Sequence, residues 1–212
     1  MENSNLNLSL GAPSKIICVG RNYAAHAREL GNEVPKEPLL FLKAPSALIG
    51  NGEDIVLPSQ SARVEHEAEL GIIIGRQCKS LSEEDDPFEY IHGYLCLNDV
   101  TARDVQKGDV QFTRGKSFDT FCPVGPENIT LPDVSDLRIT ARVNGEIRQD
   151  GRTSQMIFDI PFLMRYISTQ MTLNRGDLIA TGTPSGVSQL HPGDICEIEI
   201  EGIGILRNRI TK

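Results

Sequence analysis

The stretch that most constrains this chain is Arg63-Val64-Glu65-His66-Glu67-Ala68-Glu69-Leu70-Gly71-Ile72-Ile73-Ile74-Gly75. Glutamates hold every second position and then give way to a wholly apolar run. Successive strand side chains point to opposite faces, so Glu65, Glu67 and Glu69 are expected on one face and His66, Ala68 and Leu70 on the other. Ile72, Ile73 and Ile74 ask for burial on both sides. The pattern predicts a strand rooted in a core at one end and lined with carboxylates at the other. Like charges this close repel unless water or a cation neutralises them. Glu67 and Glu69 are therefore candidate metal ligands. Taken alone, the run is more simply explained as a solvated acidic edge, and the rest of the chain must decide.

At 212 residues the chain fits one domain with a sizeable core. A net charge of −8 and the lack of any Lys/Arg run argue against nucleic-acid binding. An anionic substrate remains compatible, because a bound divalent cation inverts the local field. Five scattered cysteines without a CxxC pair suggest buried, inert thiols in a reduced cytoplasmic protein. No stretch approaches the ~18 apolar residues of a membrane span. Met1 to Ser14 is rich in Asn and Ser and lacks the pattern of a signal peptide. Residues 1–14 are expected as a tail or edge strand, and 15–212 as a single domain.

Lys15 to Gly20 reads as a short apolar strand. The segment from Arg21 to Gly31 reads as a helix, with Asn22 as cap and Gly31 as stop. On it His26 and Glu29 are three apart, hence neighbours. A carboxylate beside an imidazole fixes the tautomer and raises basicity, as a general base requires. It is also a common surface pairing. The polar stretch from Gly31 to Pro38 is expected as a mobile loop beside that helix. Leu39 to Lys43 reads as a buried strand, and Ser82 to Ile91 as a short capped helix. His92 to Asp99 is an apolar strand running into an acid, with Asp99 either a ligand on a rigid scaffold or the cap of the next helical turn. Lys116 sits among small residues flanked by aromatics. Near a metal it would orient an anionic substrate. Asn144-Gly145 between alternating runs predicts a hairpin. Ser154 to Thr169 predicts a helical pattern, with Pro161 in its first turn and Asp159 just before it as a candidate cap. Thr181 to Val187 is a Gly/Thr/Pro/Ser loop whose amides and hydroxyls suit a carboxylate. Two more strands close the chain. The order of elements predicts an α+β fold, mostly β, with parallel and antiparallel pairing.

Together these stretches resemble the fumarylacetoacetate hydrolase superfamily, in its short acylpyruvase type. The matching motifs are Val19-Gly20-Arg21-Asn22-Tyr23 with His26-xx-Glu29, then His66-Glu67-Ala68-Glu69-Leu70-Gly71. Asp99-Val100-Thr101-Ala102-Arg103-Asp104-Val105-Gln106, Gly115-Lys116-Ser117-Phe118 and Thr181-Gly182-Thr183-Pro184-Ser185-Gly186-Val187 complete the set. The resemblance covers nearly all of residues 15 to 211. It implies a mixed β-roll with a few short helices, a homodimer, and Mg²⁺ or Mn²⁺ on Glu67, Glu69 and Asp99. It also implies a catalytic His26–Glu29 pair, an active-site Lys116, and substrate contacts from Arg103, Gln106 and Thr183. Glu65 matches no ligand.

Three carboxylates without thiolate or imidazole make a hard oxygen site suited to those ions. The substrate so implied is a small 2-oxo acid. The activity is hydrolysis of acylpyruvates through a metal-stabilised enolate, with decarboxylation of oxaloacetate by the same site. The alternatives are an isomerase or decarboxylase of unsaturated dicarboxylic 2-oxo acids, a fumarylpyruvate hydrolase, and a non-catalytic cation-binding β protein.

Overall fold

The computed structural model describes residues 8–131 and 133–212. Residues 8–14 run as turns and bends without a strand, and the first seven residues of the expected tail lie outside the described residues. The chain starts with β1 (Ile16–Gly20), α1 (Ala24–Glu29) and β2 (Leu39–Lys43), followed by short β3 (Leu48–Ile49) and β4 (Asp54–Val56). The glutamate run supplies β5 (Val64–Glu65) and β6 (Ala68–Ile74), interrupted at His66-Glu67. Next come β7 (Ile91–Asn98), β8 (Thr101–Ala102), α2 (Arg103–Gly108), α3 (Thr113–Lys116) and β9 (Cys122–Asn128). The hairpin β10 (Arg138–Val143) and β11 (Glu146–Arg152) precedes α4 (Ile160–Gln170), β12 (Leu178–Ala180), β13 (Ile195–Ile200) and β14 (Gly204–Thr211).

Seven strands form one sheet in the order β2-β1-β12-β6-β7-β9-β3, and five form another in the order β11-β10-β13-β14-β4. Parallel pairing joins β1 to β12, β3 to β9 and β14 to β4, while the other pairs are antiparallel. β6 lies at the centre of the larger sheet, with β12 and β7 on its two sides, and all seven of its residues are buried. This is why its sequence is apolar on both faces. β6, β7 and β9 pack toward β10, β13 and β14. Cys196, Ile198 and Ile200 of β13 are buried while the residues between them are partly exposed, so one face of the smaller sheet closes this core. Asn144 and Gly145 both have positive φ, 53° and 82°, as the tight hairpin turn requires.

Three elements are shorter than their sequence patterns suggest. α4 begins at Ile160, not Ser154, because Pro161 cannot donate the bond that would continue a helix from upstream. Asp159 caps it by accepting from the Phe162 N–H at 2.9 Å, and Thr153–Gln155 form only one 3₁₀ turn. From Ser82 to Ile91, only Pro87–Tyr90 is helical, as a 3₁₀ turn capped by Asp86. α1 has Tyr23 at its N-cap without a side-chain bond, so Asn22 is not the cap. Asn22 is fully buried instead. Its amide donates to the carbonyls of Phe158 and Thr181 at 3.0 and 2.8 Å, and its oxygen accepts from the Phe158 N–H at 2.8 Å.

Candidate active site

Where β6 and β7 meet the loops beyond them, pairing continues past the last strand residues. The Asp99 N–H donates to the Glu67 carbonyl at 2.9 Å, and the Glu67 N–H to Asn98 Oδ1 at 3.0 Å. Glu67 and Asp99 are thereby held together, with Glu69 one turn of the pleat along. One carboxylate oxygen from each of Glu67, Glu69 and Asp99 lies within 4.8 Å of the others. All three residues are 5% exposed or less. The run is therefore no solvated edge. Asp99 caps no helix either, since the residue at the N-cap of α2 is Ala102.

Buried cations meet these acids. Lys116 Nζ donates to Glu67 Oε2 at 2.8 Å and to Asp99 Oδ2 at 2.6 Å. Arg103 spans two glutamates, with Nε at 2.6 Å from Glu65 Oε2 and a terminal nitrogen at 2.5 Å from Glu67 Oε1. Its other terminal nitrogen reaches Gln106 Oε1 at 2.6 Å. Lys43 Nζ donates to Asp99 Oδ1 at 2.7 Å, to the Val100 carbonyl at 3.1 Å and to the Lys116 carbonyl. Burial alone would raise the Glu67 carboxyl, but the charges of Lys116 and Arg103 outweigh it and hold it far below the usual carboxylate range. Lys116 moves the other way. Burial disfavours its charge, and Asp99 and Glu67 more than restore it.

Glu69 differs from its neighbours. Among the described residues no cation pairs with it, and its Oε2 accepts only from the Gly182 N–H, at 2.7 Å. Burial, with Asp99 and Glu67 alongside, pushes its pKa well above the ordinary value. Gly182 can approach this closely because it has no side chain. A Cβ there would lie 2.7 Å from the Asn22 Cβ, and its φ is +100°.

On α1, His26 Nδ1 lies 3.2 Å from Glu29 Oε2, and His26 is 4% exposed. The Gly186 N–H donates to both oxygens of Glu29 at 3.0 and 3.2 Å, tying the 181–187 loop to the helix. A second chain of bonds shapes that loop. Gln149 Oε1 accepts from the Ala68 N–H at 2.9 Å, and its amide nitrogen donates to Thr183 Oγ1 and the Pro184 carbonyl, both at 2.7 Å. His66 Nδ1 lies 3.0 Å from the same Gln149 oxygen, so Nδ1 carries the proton and Nε2 accepts from Ser188 Oγ at 2.8 Å. Burial lowers the His66 pKa, which fits this neutral form.

A cleft of about 290 Å³ opens onto the carboxylates. It is lined by His26, Glu67, Glu69, Asp99, Arg103 and Lys116, and further by Gln106 and Thr183. Glu29 is not on its wall and reaches it through His26. Eight of the nine residues singled out from the sequence thus face one cavity. The Thr183 hydroxyl donates to the Ala68 carbonyl at 2.8 Å, and Gln106 is held by Arg103. Sequence reasoning missed Lys43, Gln149 and His66 as parts of the site. Lys43 ends β2, whose other residues are exposed or half-buried rather than buried as their apolar sequence predicts, yet Lys43 itself is 1% exposed.

A family model described as fumarylacetoacetate (FAA) hydrolase C-terminal matches residues 15–211. An uncharacterized protein of Methanocaldococcus jannaschii is 52% identical over 97% of this chain and 86% of its own. The oxaloacetate tautomerase YisK of Bacillus subtilis is 43% identical, covering 97% of this chain and 72% of that one. The mitochondrial oxaloacetate decarboxylase of Dictyostelium discoideum is 43% identical over 89% of both. Among solved structures, fumarylpyruvate hydrolase from Pseudomonas aeruginosa, in complex with Mn²⁺ and pyruvate, superposes with a TM-score of 0.89. That pair is 30% identical, over 98% of this chain and 99% of the other. A 5-carboxymethyl-2-hydroxymuconate delta-isomerase from Mycobacterium smegmatis gives 0.88 at 47% identity, over 94% of this chain and 79% of that one.

Proposed function

The chain belongs to the fumarylacetoacetate hydrolase family, and from that premise we propose that it is a divalent-metal-dependent enzyme of 2-oxo acids that cleaves the C3–C4 bond of acylpyruvates. Residues 15–212 are its catalytic domain. The observation that carries this reading is one cleft lined by both a buried three-carboxylate cluster and a carboxylate-backed imidazole.

The donor set fits a hard cation. Three oxygens converge, and burial together with Asp99 and Glu67 opposes a charge on Glu69, which a bound cation would relieve. Glu67, Glu69 and Asp99 would hold Mg²⁺ or Mn²⁺, which when bound would stabilise negative charge on the 2-oxo acid's oxygens. The rest of the work belongs to side chains. Arg103 at the cleft wall and Lys43 behind it keep Glu67 and Asp99 in place. Lys116 sets a positive charge at the cleft wall, where an anionic head group and a developing enolate gain from it. Glu29 accepts from His26 Nδ1, which leaves Nε2 free to take a proton from water or from substrate carbon. Gly186 fixes the second partner in turn.

A second reading is keto–enol tautomerisation of oxaloacetate, with or without loss of CO₂. It is favoured by the 43% relatives whose names carry those activities. It uses the same base to move a C3 proton without a nucleophilic water. The test is a panel of acetylpyruvate, fumarylpyruvate and oxaloacetate with Mg²⁺, with Mn²⁺ and with chelator, following cleavage, decarboxylation and enol absorbance separately. Metal-dependent cleavage of acylpyruvates is expected. Activity confined to oxaloacetate would replace the hydrolase reading with the second one, and no turnover of any member would remove both. His26→Ala sharpens the result. It should slow acylpyruvate hydrolysis by about 10²–10⁴-fold while sparing decarboxylation, which needs no activated water.

A cytoplasmic homodimer is part of the same proposal. All five cysteines are free and buried, with Cys122 and Cys196 pushed up to about 12 by burial, as suits a reducing compartment. No helix of the described residues is long and apolar enough to cross a membrane.

A further inference from the structure

The cleft has four cations on its wall: Arg21, Arg103, Lys107 and Lys116. Two are already engaged, Arg103 with Glu65 and Glu67 and Lys116 with Glu67 and Asp99. Asp109, also on the wall, is held by Arg114. Arg21 and Lys107 make no ion pair or hydrogen bond through their side chains among the described residues, and of these two only Arg21 is half-buried.

The backbone around Arg21 is fixed with unusual care. Its φ is +60°, in the left-handed region that an arginine rarely occupies. Nothing in its own side chain supports that conformation. The next residue does: Asn22 is fully buried, with three side-chain hydrogen bonds, and its carbonyl accepts from the Ile157 N–H at 2.8 Å. On the other side Gly20 is the last residue of β1. The strained residue thus sits between a strand end and an anchored asparagine, and it lines the same cavity as the carboxylates. Asn22 also bonds the Thr181 carbonyl, one residue from the Gly182 N–H that holds Glu69. Strain maintained by surrounding structure is a mark of a functional position.

We propose that Arg21 is the specificity-determining residue of the cleft, the cation that receives an anionic group on the far end of the substrate. The inference rests on the 2-oxo acid reading above. In that reading the substrate's head group lies at the carboxylate cluster with Lys116 and Arg103. Those two cations are matched by buried acids, so they have no spare charge for a second carboxylate. A dicarboxylic 2-oxo acid entering this cleft needs a further cation, and an arginine fork suits a carboxylate better than a lysine does. An acylpyruvate with an apolar tail gains nothing from it.

The test uses two stable analogues that share the head group. 2-Oxobutyrate ends in a methyl, and 2-oxoglutarate ends in a carboxylate. Their affinities for the Mg²⁺-loaded protein are measured by isothermal titration with wild type, Arg21→Asn, Arg21→Lys and Lys107→Met. Asparagine tolerates the left-handed backbone, so Arg21→Asn removes the charge without a folding penalty at that residue. Wild type is expected to prefer 2-oxoglutarate, and Arg21→Asn to reduce the preference about tenfold or more. Arg21→Lys should restore part of it, and Lys107→Met should keep it. If Arg21→Asn weakens both analogues alike, or the preference survives it, or Lys107→Met abolishes the preference, the assignment to Arg21 is wrong and the 2-oxo acid reading stands. Binding of neither analogue by wild type removes that reading and this inference with it.

Discussion

At the β6–β7 junction, Lys43, Arg103 and Lys116 meet Glu65, Glu67 and Asp99 through side chains that are 6% exposed or less. On and beside β10, β11 and β13, Arg138, Arg142 and Arg152 meet Asp150, Glu199 and Asp136 through side chains that are 27–55% exposed. The distances hardly differ, 2.5–2.8 Å in the first set and 2.5–2.7 Å in the second. What differs is the medium. Water screens the outer pairs and competes for their partners, so each contributes little. The inner charges have left water and depend wholly on one another, so removing one strands the rest. The same residue types at the same spacing are decoration in one place and a constraint in the other.

The largest effect should come from Glu67. It is a proposed ligand and also the acid that both Arg103 and Lys116 face. Glu67→Ala is expected to abolish Mn²⁺ binding by titration calorimetry and all metal-dependent turnover. Glu65→Ala removes no ligand, and should retain Mn²⁺ binding while lowering thermal stability, because Arg103 loses a buried partner. Equal loss of Mn²⁺ binding in the two variants would mean that the wrong pair of glutamates had been chosen.

Next is Lys43, a wholly buried ammonium bonded to Asp99 and two carbonyls. Lys43→Met keeps the length of the side chain and deletes the charge. Breaking one side of a buried pair costs about 3–5 kcal/mol. For a chain of this size that lowers Tm by about 6–20 °C. Part of the loss should return when Mn²⁺ is added, since a cation bound to the native state is stabilising and also relieves Asp99. An unchanged Tm would place Lys43 energetically among the surface lysines.

Lys116 gives opposite signs for two measurements. Its ammonium neutralises two of the proposed ligands, so it competes with a metal for them. Lys116→Met should therefore tighten Mn²⁺ binding while lowering turnover on the order of 10²-fold, the usual effect of losing one donor to a developing anion. Weaker Mn²⁺ binding together with normal turnover would contradict both assignments.

The sequence made some of this legible and hid the rest for physical reasons. The buried half of β6, the Asn144-Gly145 hairpin and the cap at Asp159 follow from local patterning, and the structure carries all three. The carboxylates stood out through their spacing and motif context, and His26 and Glu29 through the helix period. Lys43 did not, because nothing local separates a buried lysine from an exposed one at a strand end. Its partners lie 56 and 73 residues away. Gln149 sits on an outer-looking hairpin strand, and only tertiary packing brings its amide between His66 and Thr183. Asn22 has the composition of a helix cap and is used to join two distant loops. Local propensity cannot see partners that far along the chain.

The smallest effect is expected at Arg138, and it is the sharpest check on the comparison. Arg138 makes a two-pronged contact with Asp150 at 2.7 and 2.8 Å, better geometry than several inner pairs have. Geometry alone would rank it with Arg103. Yet both partners are about half exposed, Arg138 at 48% and Asp150 at 47%. The unpaired carboxylate left by Arg138→Ala is rehydrated at once, and the strand pairing of β10 with β11 is carried by backbone bonds that the change does not touch. Its Tm should stay within about 2 °C of wild type. Raising the salt to about 1 M, where the Debye length shrinks to about 3 Å, should narrow even that gap. The Lys43→Met deficit, buried away from ions, should persist under the same conditions. A large, salt-insensitive loss in Arg138→Ala would show that bidentate geometry outweighs burial in this fold, and the contrast between the two clusters would have to be redrawn on geometry.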